Sequence, residues 1–593
     1  MSAEILRVAN CSGFYGDRLS AMREMLEGGE IDVITGDYLA ELTMLILGRD
    51  KLKDPSLGYA RTFLNQTEDC MGLALDRGVK IVSNAGGLNP AGLAKRLREV
   101  AAHLGLAPRI AHVQGDDLMD RVDELGLGKP LTANAYLGAF GIAAALERGA
   151  DIVVTGRVTD ASVVVGPAIA HFGWPRDAYD ELAGAVVAGH VIECGTQASG
   201  GNFSGFRSLK PDTTPIGFPL AEISADGSSV ISKHAATGGA VTSDTLTAQL
   251  VYEIQSQLYL GPDASVHLDS VDLAEDGDDR VRISGVRGQA PPPQLKVCVN
   301  ELGGFRNTLE FVLTGLEIDA KADWVRAQME AALVKHPPAS VEWALARTER
   351  ENASTEEAAS CRLRCTVKDA DANIVGKAFT AAAIELGLAS YPGFTLTAPP
   401  ARATPYGIYR PAYVDQAAVE HTVVHDDGSS QRIEPPPEFA DPSQAREFLR
   451  GDGRDTAGRP KESTAAMADR MAAGVPRDVV TRRLPFGTFV HARSGDKGGD
   501  ANIGLWVDQS RNGPERVAWL TKVVTPSRIR DLIPECADLQ IEVYPLPNLG
   551  AVNVLIRGLL GDGVAASSRF DPQAKGLGEW LRSRHVSITG DLL

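Results

Sequence analysis

Cysteine is scarce and scattered, with seven residues in 593, at positions 11, 70, 194, 298, 361, 365 and 536. An odd, dispersed set in a chain of this size excludes the disulfide framework of a small secreted domain. Cys361 and Cys365 are close neighbours, in the alternating run ASCRLRCTV. That spacing places both on one face of one strand, as buried packing, and no second pair completes a zinc site. Cationic charge is also in deficit: 59 lysines and arginines stand against 77 aspartates and glutamates, a net charge of −18. This balance argues against broad binding to nucleic acid or docking on an anionic membrane, because both need cationic faces. Runs of about 18 uninterrupted apolar residues are missing, so no membrane span is expected. The opening MSAEILRVANCSG has neither the basic segment nor the apolar stretch of a secretion signal. A cytoplasmic location is the expectation.

What is present is a strong alternation of short apolar runs and helical patterns over the first 200 residues. ILRVAN, IDVITGD, VKIVSNAGG, PRIAHVQGDD and ADIVVTGR read as strands, and patterns such as AGLAKRLREVAAHLGL separate them as helices. That rhythm predicts βαβ units around a parallel sheet covered on both faces. The expected class is α/β, with a parallel-sheet βαβ domain and ligand crevice over 1–205. A middle α+β region follows over 206–423, then a Pro/Gly/Asp-rich linker over 424–482 with one helical piece at PSQAREFLR. A compact α+β tail over 483–593 ends the chain.

Polar, glycine-bearing segments follow the predicted strands: Asn10–Arg18, Thr35–Glu41, Ser83–Pro90, Gln114–Asp117 and Thr155–Asp160. In a parallel sheet these strand ends point one way, and ligands bind in the crevice outside them. Ser12, Gly13, Asp37, Asn84, Gly86, Gly87, Asp116, Arg157 and Asp160 are therefore substrate-binding candidates. Arg157 is the natural clamp for a carboxylate or phosphate. Asp160 reads either as the cap of the next helix or as a chemical group. The first segment lacks GxGxxG spacing, and no Walker motif occurs, so neither is a nucleotide fingerprint.

The densest constellation is Gly189–Phe203, where His190, Glu193 and Cys194 lie within five residues of one another, followed by a turn-rich GTQASGGN. His and a buried Glu suit proton transfer, and a thiol is a nucleophile when a neighbour favours its thiolate. These three are the candidate catalytic residues, with Gln197 and Asn202 as further binding candidates and glycine amides near 195 and 200 as donors to an oxyanion. The spacing matches no metal signature, so no metal is expected. In the tail, His491, Arg493, Asp496, Lys497 and Asn502 crowd a glycine-rich loop between two strands and suggest a binding or interface role.

SGFYGDR, ITGDYLAE, SNAGGLNP, GADIVVTGRVTDAS, GHVIECGTQASGGNF and SYPGF resemble the acyclic terpene utilisation family. HARSGDKGGDANIG and YPLPNLGAVNV resemble that family's C-terminal ferredoxin-like domain. The resemblance implies catabolism of citronellol- and geraniol-type compounds, whose intermediates are branched acyl-CoA thioesters. It carries over site positions but no settled reaction. The leading expectation is an enzyme acting on an acyl-CoA, or its organic acid, by hydration, dehydration or isomerisation, with CoA entering as part of the substrate. Two alternatives stay open: a non-catalytic subunit of an acyl-CoA carboxylase or related complex, and a nucleotide-dependent enzyme. A homo-oligomer is expected for a soluble protein of this size.

Overall fold

A computed structural model describes residues 5–209, 214–441, 481–509 and 512–593. Up to Lys233 the described residues include β1 (Ile5–Asn10), α1 (Ala21–Gly28), β2 (Val33–Gly36), α2 (Glu41–Lys53), α3 (Arg61–Asp76), β3 (Lys80–Ser83), α4 (Pro90–Leu104), β4 (Ile110–Gln114), β5 (Thr132–Ala135), α5 (Phe140–Glu147), β6 (Ile152–Thr155), α6 (Ser162–Phe172), α7 (Tyr179–Ile192), β7 (Pro219–Ser224) and β8 (Ser229–Lys233). Five strands pair in parallel in the order β1-β2-β3-β6-β4. Each is a run of four to six residues with almost no exposed side chain, because helices cover both faces. Met22, Phe63 and Leu93 from α1, α3 and α4 pack on one face. Ile142, Val163 and Leu182 from α5, α6 and α7 pack on the other.

The chain thus leaves the adjacent strands β3 and β6 toward opposite faces, through α4 and α6. Their C-terminal loops therefore part at this point, the position at which open sheets of this kind hold a ligand crevice. Close packing fixes its floor: a Cβ on Gly86 would lie 2.4 Å from the carbonyl oxygen of Thr155.

The sheet is mixed where a parallel one was expected. Antiparallel β7, β8, Arg280–Ser284 and Asp272–Glu275 extend it beyond β1, and the Thr422–Val424 and Ser430–Arg432 hairpin extends it beyond β4. Residues 424–432, expected to open the linker, therefore close a sheet edge instead; the Asp427-Gly428 turn signal marks a hairpin. The helical piece expected at PSQAREFLR lies outside the described residues.

Contacts divide the chain differently from the linear segments expected. One unit holds residues 1–300, 410–564 and 571–593, and the other holds 301–409 and 565–570. In the second unit, strands Ser340–Ala346 and Ser360–Asp369 pair antiparallel and helices Ile318–Leu333 and Phe379–Glu385 cover them. Cys361 and Cys365 are both fully buried on one face of their strand. LKVCVNEL and TLEFVLT lie on one long strand, Gln294–Thr314. The strand runs through the Gly303-Gly304 pair, with Gly304 at φ +118°.

The tail forms a four-stranded antiparallel sheet, in the order Val490–Lys497, Asp500–Val507, Ala551–Ile556, Ile541–Leu546. Helices Gly513–Val523, Pro526–Leu532 and Leu577–Ser583 pack on it, giving the α+β sandwich expected.

Candidate functional site

Polar groups from four strand ends interlock in the crevice. Asp37, beyond β2, accepts from the Asn84 side chain at 2.6 Å and from the Leu39 main chain at 3.0 Å. Asn84, beyond β3, accepts in turn from the Tyr38 main chain. Asp116, beyond β4, accepts from the Arg157 main chain at 2.8 Å and from Asn134 on β5 at 2.9 Å. Arg157, beyond β6, is 2% exposed, stacks 4.2 Å from the Tyr136 ring, donates to the Leu39 carbonyl and pairs with Asp160 at 3.1 Å.

The expected clamp is therefore already filled by the protein's own groups, so Arg157 organises the crevice floor. Asp160 makes that ion pair and caps nothing: the residue at the start of α6 is Ala161, with no side-chain cap. Gly156 permits this arrangement, since a Cβ there would meet the Asp116 carboxylate at 2.2 Å.

His190 and Glu193 close the crevice from the last turn of α7. Three residues apart on a helix share a face, and His190 Nδ1 lies 3.0 Å from Glu193 Oε1. They are 2% and 6% exposed, and His190 also packs 5.0 Å from the Tyr259 ring. Glu193 Oε2 is buried with no hydrogen-bond partner among the described residues. Asn10, at the end of β1, donates to the Ile192 and Glu193 carbonyls and ties this turn to the sheet. Cys194 touches Gly13, where a Cβ would lie 2.6 Å from the Cys194 carbonyl carbon.

The tail supplies the remaining wall. The residues expected in a loop stand on a hairpin: His491, Arg493, Asp496 and Lys497 on one strand and Asn502 on the next, turning at Gly498-Gly499. Arg493 donates to the Asn202 carbonyl at 3.0 Å and to the Gln197 side chain, and lies 4.5 Å over the Tyr252 ring. Asn502 accepts from the Glu253 main chain at 2.8 Å. His491 is sandwiched between Phe203 and Trp506 and bonds the Ser204 hydroxyl at 3.1 Å, a packing role at this junction. Lys497 differs from these: among the described residues its ammonium makes no hydrogen bond and no ion pair within 4.0 Å.

An unpaired buried charge costs several kcal/mol, whereas a hydrogen bond returns about one, so burial weighs against ionisation of the carboxyls here. Burial, with the charges of Asp160 and Glu253, pushes the Glu193 pKa well up, against Lys497 and Arg157. Burial and Asp160 push Asp37 up, and burial raises Asp160 despite Arg157. Asp116 is raised to about 7, mainly by burial. Burial and Lys497 push His190 down to about 4, although Glu253, Asp160 and the Gln249 main chain pull the other way. Both shifts favour the neutral forms, an imidazole beside a carboxyl group. Burial opposes ionisation of Glu41, yet Lys296, Arg157 and Lys497 hold its pKa well below the usual range, and Lys296 lies 3.3 Å away. Burial and the neighbouring Glu193 push the Cys194 thiol well up, the opposite of thiolate activation.

Two further expectations meet committed backbone. The Gly13 amide donates to Asp17 and the Ser12 amide to Asn10, so this loop is a self-satisfied turn. The Gly200 amide is taken by the Gln197 carbonyl. Gly87 adopts a left-handed φ of +53° in the turn that leads to α4, where Asn89 caps the Gly92 amide. Among the described residues no group of three His, Cys, Asp or Glu side chains is arranged to hold a metal. Sequence reasoning missed Glu41, Tyr136, Tyr252, Glu253, Tyr259 and Lys296. Glu41 starts a helix, Tyr136 leaves a strand, Tyr259 and Lys296 stand on strands and Tyr252 and Glu253 lie in a bend, in segments without a local motif. Glu41 alone carried a signal, as the last residue of the ITGDYLAE segment.

Two family models match the chain. One, described as acyclic terpene utilisation family protein AtuA, covers residues 6–425. The other, described as the AtuA ferredoxin-like domain, covers residues 484–587. Neither a curated protein nor a solved structure matches significantly.

Proposed function

Starting from the chain's membership of the acyclic terpene utilisation family, we propose that it is a catabolic enzyme acting on a branched or terpenoid acyl-CoA, or its free acid, by acid/base chemistry. The observation that carries this reading is the His190–Glu193 pair, 3.0 Å apart and nearly free of solvent contact at the crevice wall. A carboxyl group whose pKa is raised by burial is suited to proton exchange, and a neutral imidazole in contact with it orients and relays that proton. In an isomerisation Glu193 as carboxylate removes a proton from the carbon next to the acyl carbonyl. The electron pair moves onto the carbonyl oxygen, and the same proton returns to a different carbon. In a hydration the proton removed comes from water, whose oxygen bonds the substrate's alkene carbon while the neighbouring carbon is protonated. Glu193 is the group that handles the proton, and His190 is its positioning partner.

The test is a screen of purified protein against branched acyl-CoAs and their acids by thermal shift, then turnover of each stabilising compound. Glu193→Gln keeps the shape of the side chain and is expected to lower turnover by about 10²–10⁴-fold. His190→Ala is expected to lower it less while shifting the pH profile. Turnover at the wild-type rate in both variants overturns the assignment.

A further inference from the structure

The crevice has an unclaimed cation. Arg157, the residue whose type best suits an anion, is spent on Asp160, Leu39 and Tyr136. Lys296 is spent on Glu41, and Lys575 bonds the Tyr252 hydroxyl and lies 3.8 Å from Glu253. Lys497 is half-buried and makes no direct polar contact among the described residues. Its charge nonetheless acts on Glu41, Asp160, His190 and Glu193. It forms no ion pair with any of them among the described residues.

Its position is built with care. The hairpin that carries Lys497 turns at Gly498, φ +67°, and at Gly499, where a Cβ would lie 2.2 Å from the Gly561 carbonyl. Leu560 donates to the Gly499 carbonyl at 2.9 Å, and Asp500 is held by Arg557 at 2.9 Å and by the Gly558 amide at 2.8 Å. At the other end Gly495 lies flat on Tyr252, since a Cβ there would meet the ring at 2.4 Å. A hairpin pinned at its tip and along its length holds a flexible lysine stem over one spot. A half-buried ammonium without a contact counter-ion is free to meet an anion that a ligand brings.

Building on the acid/base reading, we propose that Lys497 is the anion seat of this site and that its ligand is an ionised carboxylate on the substrate, held by a direct charge-assisted contact beside Glu193. The ferredoxin-like domain then completes the active site of the large domain and sets specificity for free acids over thioesters. Burial raises the pKa of Glu193, Asp160 and Asp37, which lessens the repulsion that an incoming carboxylate meets.

The experiment measures binding of a branched ten-carbon carboxylic acid, its primary amide and its CoA thioester to the full-length protein by calorimetry. Lys497→Ala is expected to weaken the acid at least tenfold, Lys497→Arg to restore part of the loss, and amide binding to be unchanged. Glu193→Gln is expected to keep acid affinity. A second readout needs no substrate: by NMR, the His190 titration rises from about 4 in Lys497→Ala, because a nearby positive charge has been removed. Unchanged acid affinity in Lys497→Ala, no binding of the acid by the wild type, equal dependence of the thioester on Lys497, or an unmoved His190 titration each overturns the proposal. Lysine-dependent acid binding without turnover leaves the anion seat standing and sinks the enzymatic reading instead.

Discussion

The side-chain oxygen of Asn502, on the C-terminal sheet, accepts the main-chain N–H of Glu253 at 2.8 Å, and the Asn502 amide donates to Asn553. Asn553 donates in turn to the Ile254 carbonyl at 3.3 Å. Both asparagines are fully buried. The segment that brings Glu253 and Tyr252 to the crevice is thus hydrogen-bonded to the other domain of the family pattern. Leaving a buried donor without its partner costs about 1–3 kcal/mol. Asn502→Ala is expected to lose stability of that size in chemical denaturation. Catalytic efficiency toward any substrate is also expected to fall, since Glu253 loses its anchor. A variant as stable as the wild type shows that this bond contributes little to joining the two parts.

Gly13 is required for a close approach. An alanine there would put its Cβ 2.6 Å from the Cys194 carbonyl carbon and 2.9 Å from the Cys194 Cα. Both contacts are main chain, which cannot rotate away. Gly13→Ala is expected to destabilise by about 1–3 kcal/mol, as overpacking does. Gly72→Ala, in α3 with its nearest neighbour at 3.8 Å, is the control and is expected to be neutral or slightly stabilising. Equal midpoints for the two variants would remove the close-packing account of the first loop.

Cys194 is set against nucleophilic chemistry by its surroundings. Burial and the Glu193 and Glu253 carboxyls raise its thiol pKa, and Arg493 opposes them only in part. The expected outcome is slow alkylation by iodoacetamide near neutral pH, well below the rate of a free thiol, and Cys194→Ala turnover within a few-fold of wild type. Rapid labelling that also abolishes activity would reinstate the nucleophile.

The crevice floor was legible in the chain because its strands are short apolar runs, each ending in a polar glycine segment. Asp37, Asn84, Asp116 and Arg157 do meet there. What these residues do with one another was not legible. That Asp160 consumes the Arg157 guanidinium depends on an i,i+3 geometry and a stacked Tyr136, neither of which has a motif. The HARSGDKGGDAN segment looked like a loop because it holds charge and glycine. It is a hairpin in which glycines serve close packing, Gly495 on Tyr252 and Gly499 on the Gly561 carbonyl. The mixed sheet was hidden for a similar reason: its added strands are short, lie far along the chain and pair only through tertiary contacts.

Asp116 offers the cleanest pH test. Burial raises its pKa from 3.8 to about 7, and hydrogen bonds from Arg157 and Asn134 only partly offset this. Between those two values the folded protein holds a proton that the unfolded chain has released. Stability from this group is therefore fully present below about pH 4, declines as pH rises to about 7, and stays low above it. Asparagine reproduces the protonated carboxyl, because its oxygen accepts from the Arg157 and Asn134 donors that now meet one Asp116 oxygen. Asp116→Asn should then match wild type in acid and exceed it increasingly toward neutrality, with the gap levelling above pH 7. Denaturant midpoints of both proteins across that range measure the gap directly, and other titrating groups cancel in the difference. Parallel curves would mean that Asp116 is ionised in the folded state and that the crevice floor is better solvated than its burial implies.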